Sequence, residues 1–255
     1  MLSRRIVATI ALNIILFIVT VTVNSLAGAT TLLNGSTTGK ISDSHSTPIT
    51  PSGFTFAIWS VIYILLAAFV VYQALPRNRE KPFHKQIGFL FILSCILNIS
   101  WIFLWQYELF PYSVAFIFAL LASLIAIYIR LGVGKTSVRI TERICVHLPF
   151  SVYMGWMTVA CLANVAVALT ASGWNGFGVD PSVGAVIAVA IILIATLVVI
   201  GARKDIGYSL VIIWALFGVM TKQSANQTAL WATSISIIII IVALAVRIIY
   251  SRIKR

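Results

Sequence analysis

The chain has 255 residues, of which 60% are hydrophobic and 9% charged, with a formal net charge of +12 and a mean hydropathy of +1.05. A water-soluble globule of that composition would have to expose large apolar patches, which excludes an ordinary soluble domain and makes lipid the expected solvent. The positive charge would suggest nucleic acid in a soluble protein, but these basic residues lie in short loops beside apolar runs and no nucleic-acid-binding motif accompanies them, so that partner is not expected.

Eight apolar stretches follow one another: Ile6 to Leu26, Phe54 to Leu75, Ile87 to Trp105, Tyr112 to Leu131, Ile144 to Thr170, Val183 to Ala202, Tyr208 to Met220 and Leu230 to Tyr250. A helix of about 20 residues crosses the hydrocarbon layer, and most of the stretches meet that length. The seventh reaches only by borrowing Ile206 and Lys222 at its ends. With alternate connections on opposite sides, one side receives Arg4 and Arg5; Arg77, Arg79, Lys81 and Lys85; Arg130, Lys135, Arg139 and Arg143; Arg203 and Lys204; Arg247, Arg252, Lys254 and Arg255. The other receives only Lys40 and Lys222. Short cytoplasmic loops hold the excess of Lys and Arg, so the expectation is an all-α integral protein of the cell membrane with eight transmembrane helices and both termini cytoplasmic. The charge alternation also favours a full crossing by the seventh stretch.

Arg4 and Arg5 before an apolar run sketch a signal peptide, but Ile6 to Val23 is nearly unbroken and exceeds a signal's apolar core, so a retained first helix is expected. The loop from Ala27 to Gly53 is rich in Thr, Ser and Gly, lies on the outer side, and reads as a lid or a spacer. Two prolines, Pro48 and Pro51, stiffen its end before the second helix. A further break falls at Ala171 to Pro181, where Ser172-Gly173-Trp174-Asn175-Gly176-Phe177-Gly178 interrupts the helical pattern. Before it the helices carry Trp, Asn, Tyr and Pro; after it they are mostly Ile, Val and Ala. The expected division is a five-helix bundle over 1–172 and a three-helix extension over 173–255.

Cys95, Cys145 and Cys161 are odd in number and without CxxC spacing, so neither a disulfide framework nor a metal site follows. No Asp, Glu, Lys or Arg lies near the middle of a predicted helix, which disfavours proton-coupled transport. Paired carboxylates, HExxH and GxSxG are all missing, and enzymatic activity is not expected. His84 and His147 read as boundary residues rather than ligands, and His45 in the outer loop only as a minor candidate to meet a bound ligand.

Three helices place aromatic and amide groups at similar height. On the second, Trp59 and Tyr63 lie roughly 7 and 13 Å below the outer end. On the third, Asn98, Trp101 and Trp105 share a face, with Asn98 roughly 10 Å from that end. On the fifth, Tyr153, Trp156, Ala160 and Asn164 form one stripe above Pro149, with Trp156 roughly 20 Å deep. A carboxamide in hydrocarbon costs several kcal/mol without a partner, so Asn98 and Asn164 are expected to face protein or a cavity. Trp105, Trp174 and Trp231, near outer helix ends, suit an interfacial belt. A hollow walled by flat aromatics with a few amides suits a large, flat, mostly apolar ligand.

Pro51-Ser52-Gly53-Phe54-Thr55-Phe56-Ala57-Ile58-Trp59, continuing to Ile62-Tyr63, resembles the signature that opens the second helix of the TspO/MBR family, the tryptophan-rich sensory and translocator proteins. Asn98-Ile99-Ser100-Trp101 resembles that family's third-helix Asn-x-x-Trp, and Pro149-Phe150, Trp156 and Asn164 resemble its fifth-helix residues. The likeness covers about residues 1 to 172 and makes this a longer branch with three extra helices. The chain departs from the family pattern at Ala57 and Phe103, where proline is usual, and in the spacing before Trp59 and between Pro149 and Trp156. The resemblance implies a membrane protein that binds porphyrins or related tetrapyrroles, and in some members sterols, between five helices beneath the first loop, in a sensory, carrier or regulatory role. The expected ligand-binding residues are Phe54, Phe56, Trp59, Tyr63, Asn98, Trp101, Trp105, Tyr153, Trp156 and Asn164. No Lys or Arg follows Tyr153 within reach, so the sterol-recognition pattern is absent. No cofactor is required; the expected partners are the bilayer, a hydrophobic small molecule and a second copy of the chain. The competing readings are an uncoupled permease or exporter of a small organic solute, for which Gln73, Thr158, Gln223 and Asn226 are too scattered to draw a polar path, and a membrane scaffold.

Overall fold

The computed structural model describes residues 4–174 and 176–253; Asn175 of the break after the fifth apolar stretch and Lys254 and Arg255 of the C-terminal basic group lie outside them. Helix α1 runs Arg4–Ala29 without interruption. The loop after α1 contains a short helix, α2 (Thr38–Ser44), capped by the Thr37 side chain. A 3₁₀ turn at Gly53–Ala57 leads into α3 (Ile58–Ala74). After the short α4 (Phe83–Ile87) come α5 (Leu90–Gln106) and α6 (Phe110–Arg130). Next are one turn of helix, α7 (Ile140–Glu142), and the long α8 (Leu148–Ala171). The chain ends with α9 (Pro181–Arg203), α10 (Ile206–Lys222) and α11 (Gln227–Ile253). Among the described residues there is no strand.

Six of these segments are long and apolar enough to cross a membrane, and α5 and α10 are shorter apolar helices. The third apolar stretch starts three residues later than its composition suggests, because Gly88 at φ 54° ends α4 and turns the chain. Conversely, α10 does recruit Ile206 and Lys222 and is continuous. Between α7 and α8 the residues Arg143–His147 form a π-turn. Pro149 has no N–H to offer the carbonyl four residues back, at Cys145, and a π-turn relieves that gap.

Helix α8 is the axis of the molecule: it belongs to the most buried of the long apolar segments, and α1 to the least. It touches α3, α6, α9 and α10, while α5 links α1 to α6. The last three helices pack on one another and meet the rest mainly through α10 on α8. Gly155 makes that approach possible, since a Cβ there would stand 3.0 Å from the Tyr208 carbonyl oxygen.

The connections gather at two ends. At one, Lys81 pairs with Glu142 at 2.8 Å, Arg203 Nη1 donates to the Val133 carbonyl, and Arg247 Nη2 donates to the Gly201 carbonyl. At the other, Asn34 and Thr38 bond to Gln106, Lys222 pairs with Asp43, and Asn226 bonds to Ser182. The basic connections therefore share one end of the bundle, and α10 runs from that end to the opposite one.

Candidate functional site

The aromatic residues of α3, α5 and α8 come together. Trp59 stacks on Tyr63 at 5.5 Å and on Trp101 at 6.1 Å between ring centroids, and meets Tyr153 and Trp156 edge-on at 6.0 and 6.2 Å. Phe56 closes edge-on against Trp156 at 6.0 Å, and Trp105 lies beside Trp101 at 6.4 Å. Above this cluster is a cavity of about 50 Å³, walled by Phe56, Trp59, Trp101, Trp105, Trp156 and Asn164 together with Val159, Ala160 and Ala163, and covered by Thr38, Ser42 and Pro51.

The amides hold the walls in two separate networks. Asn98, fully buried, receives an N–H from Asn24 at 2.6 Å and donates to the Tyr153 hydroxyl at 2.8 Å. Asn164 accepts the Trp101 indole N–H at 2.8 Å and donates to Ser113 Oγ at 2.8 Å. Asn98 thus braces the floor without lining the cavity, while Asn164 lines it. Two polar atoms of the cluster are buried without a hydrogen-bond partner: the indole N–H of Trp156 and the hydroxyl of Tyr63. Most buried polar atoms find partners, so two in one aromatic cluster are a departure that a ligand or a water would satisfy.

The sequence model of the TSPO-like protein family matches residues 9–247. The chain belongs to the TSPO-like protein family. No curated protein and no solved structure matches it. The match crosses the break near residue 172 and takes in most of the last three helices, further than the short motifs reach. This TSPO-like chain is an all-helical, multi-pass membrane protein by its family and its apolar helices.

Trp59 and Trp156 were expected about 13 Å apart in depth, yet their rings touch. The N-terminus of α3 lies inside the bundle, where the Thr55 carbonyl accepts the indole N–H of Trp214 halfway along α10. Depth counted from a helix end fails when that end is not at the surface. Trp105 is not a belt residue: it is 6% exposed, covered by α2, and its indole N–H points to the Thr38 carbonyl at 3.5 Å. Trp174 and Trp231 are exposed. Phe54 turns away from the cavity and packs between Trp214 and Phe217 of α10. His45 packs edge-on against Phe110 and faces Glu108 at 3.7 Å, and is not among the cavity-lining residues.

Other groups escaped the sequence reading. Thr38 and Ser42 sit in a polar loop with nothing to mark them; their four-residue spacing on α2 is the only signal. Asn24 and Ser113 complete the amide networks from helices that carried no aromatic pattern. Asp205, at the start of α10, is 8% exposed and accepts the hydroxyls of Tyr128 at 2.8 Å and Ser151 at 2.7 Å, besides the Tyr208 N–H at 3.2 Å. The scattered polar groups each tie one element to another: Asn13 donates to Gln73, Gln223 to the Thr47 carbonyl, Asn226 to Ser182, and the Thr158 hydroxyl accepts from Tyr208.

Proposed function

We propose that this TSPO-like protein crosses the cell membrane eight times with both termini in the cytoplasm, and binds a flat hydrophobic ligand of the tetrapyrrole class in the aromatic cavity between α3, α5 and α8. The observation that carries the reading is the unpartnered indole N–H of Trp156, in a residue 3% exposed, within a shell of stacked rings. Such a shell offers stacking on its faces and one or two donors to fix orientation. The neighbouring Asn164 is committed to Trp101 and Ser113 and so keeps the wall rigid.

A cavity of about 50 Å³ is well below the roughly 300–1,000 Å³ of ordinary ligand pockets. A tetrapyrrole therefore enters only when the cover moves: Phe56, Pro51 and the end of α2 must withdraw. Binding of this kind stabilises the open arrangement by its differential affinity for it. The role follows as sensor, carrier or regulator rather than catalyst.

Protoporphyrin added to the protein in detergent should quench its tryptophan emission saturably. Trp156→Leu with Asn164→Leu should weaken that binding about tenfold or more, since an aromatic wall and its stacking contribute on the order of 2 kcal/mol. Quenching that saturates equally in the double variant sinks the assignment of the cavity.

A further inference from the structure

The cover of the cavity is held from outside the five-helix bundle. Among the described residues, every hydrogen bond that leaves residues 46–56, apart from the opening turn of α3, goes to α10 or to the residue just beyond it. The Ser52 N–H donates to the Gly218 carbonyl at 2.9 Å, and the Ser52 and Thr221 hydroxyls lie 2.9 Å apart. Gln223 Nε2 donates to the Thr47 carbonyl at 2.9 Å, and Trp214 Nε1 to the Thr55 carbonyl at 3.0 Å. One step earlier in the loop, Asp43 at the end of α2 pairs with Lys222 at 2.5 Å.

A close fit backs these bonds. A Cβ on Gly218 would stand 2.0 Å from Thr55 Oγ1, so the Thr55 side chain fills the space that any other residue at 218 would need. Thr55 is fully buried there, with its hydroxyl unpartnered, and the adjacent Phe56 is a wall of the cavity. The segment that separates the cavity from the outer surface is thus a strap whose fastenings are on α10, whereas its other end, residues 33–38, is tied to Gln106 of α5.

We propose that α10 is a clasp that sets access to the cavity: the Thr55–Gly218 fit and the Asp43–Lys222 pair hold the strap down, and their release lets residues 43–56 lift. The proposal rests on reading the cavity as the binding site, and it gives the three C-terminal helices a task, regulation of that site. The ion pair is half-exposed and screened by salt, so it is the weaker fastening.

Access can be read without any tetrapyrrole. In the full-length protein with Cys95, Cys145 and Cys161 replaced by Ala, Ala163→Cys places a thiol on the cavity wall, and its rate of labelling by a small polar maleimide reports opening. Lys222→Gln should raise that rate about two- to fivefold, the worth of one exposed pair, and high salt should do the same to the parent. Gly218→Val should raise it on the order of tenfold or more, because an overpacked contact must separate. Charge exchange, Asp43→Lys with Lys222→Asp, should bring the rate back toward the parent. In a parallel chain that keeps Cys161 as its sole thiol, the buried Cys161 should label no faster in any of these variants. Unchanged labelling at position 163 in Lys222→Gln and Gly218→Val overturns the clasp, and so does a parallel rise at Cys161, which would mean general loosening. If Gly218→Val does not fold, Lys222→Gln and its charge exchange decide alone. A protein that labels as expected yet ignores protoporphyrin keeps the clasp and loses the ligand.

Discussion

Asp205 and Asn98 are both buried polar side chains, but what they hold together differs, and so should the cost of losing them. Asp205 takes two hydroxyls and a backbone N–H from three helices, whereas Asn98 joins Asn24 to Tyr153. Asp205→Leu strands three donors that had a charged acceptor and should cost about 3 kcal/mol or more. Asn98→Leu, deeper in the membrane-like core, should cost about 1–2 kcal/mol. Thermal unfolding in detergent should rank them in that order; the reverse ranking would mean that the bonds are misassigned. His84 offers a titration test at the basic end. Burial holds its pKa below the usual value, against the opposing pull of the Asn78 carbonyl. Its folded pKa is depressed, so its contribution is complete above the unfolded value of about 6.5 and is lost as pH falls from there through the folded pKa. His84→Asn should therefore flatten the fall in melting temperature between neutral and mildly acidic pH; an unaltered slope would show that other groups set it.

At the scale of elements, the helices were readable because about 20 apolar residues in a row leave few other structures. The stripe of Trp156, Ala160 and Asn164 was readable for a second reason: spacings of four and eight keep side chains on one helical face. What could not be read is how far each helix is displaced along its axis. Trp59 reads as shallow because its apolar stretch begins at Phe54, only five residues before it, yet a strap of irregular chain fills the space above it. Gly218 and Gly155 look like tolerated glycines in apolar runs, and only their neighbours reveal what needs the room: the Thr55 side chain at Gly218 and the Tyr208 backbone at Gly155. Gly155→Val should push α10 off α8, lowering the melting temperature and loosening the C-terminal helices first. Proteolysis that starts in the connection after α8 is the expected sign, and cleavage that starts in α1 instead would contradict the packing described.

For the molecule as a whole, the gathering of Lys81, Arg203 and Arg247 at one end converts the loop-by-loop charge bias into a single basic face. An anionic cytoplasmic leaflet attracts such a face, at about 1 kcal/mol for each basic residue near the surface. In intact cells, a cysteine placed at Arg79 or Lys135 should resist a membrane-impermeant maleimide until the cells are opened, while one at Gly39 should react at once. Reaction of all three from outside would refute the orientation. The indoles add a property that belongs to no one residue. The Trp101 ring centroid lies 6.1 Å from that of Trp59 and 6.4 Å from that of Trp105, and the Trp59 centroid 6.2 Å from that of Trp156, so excitation energy absorbed by one ring can migrate to the others before emission. The near-ultraviolet emission of this protein should be strongly depolarised even when the protein is immobilised, and deleting one indole should change its anisotropy more than its brightness.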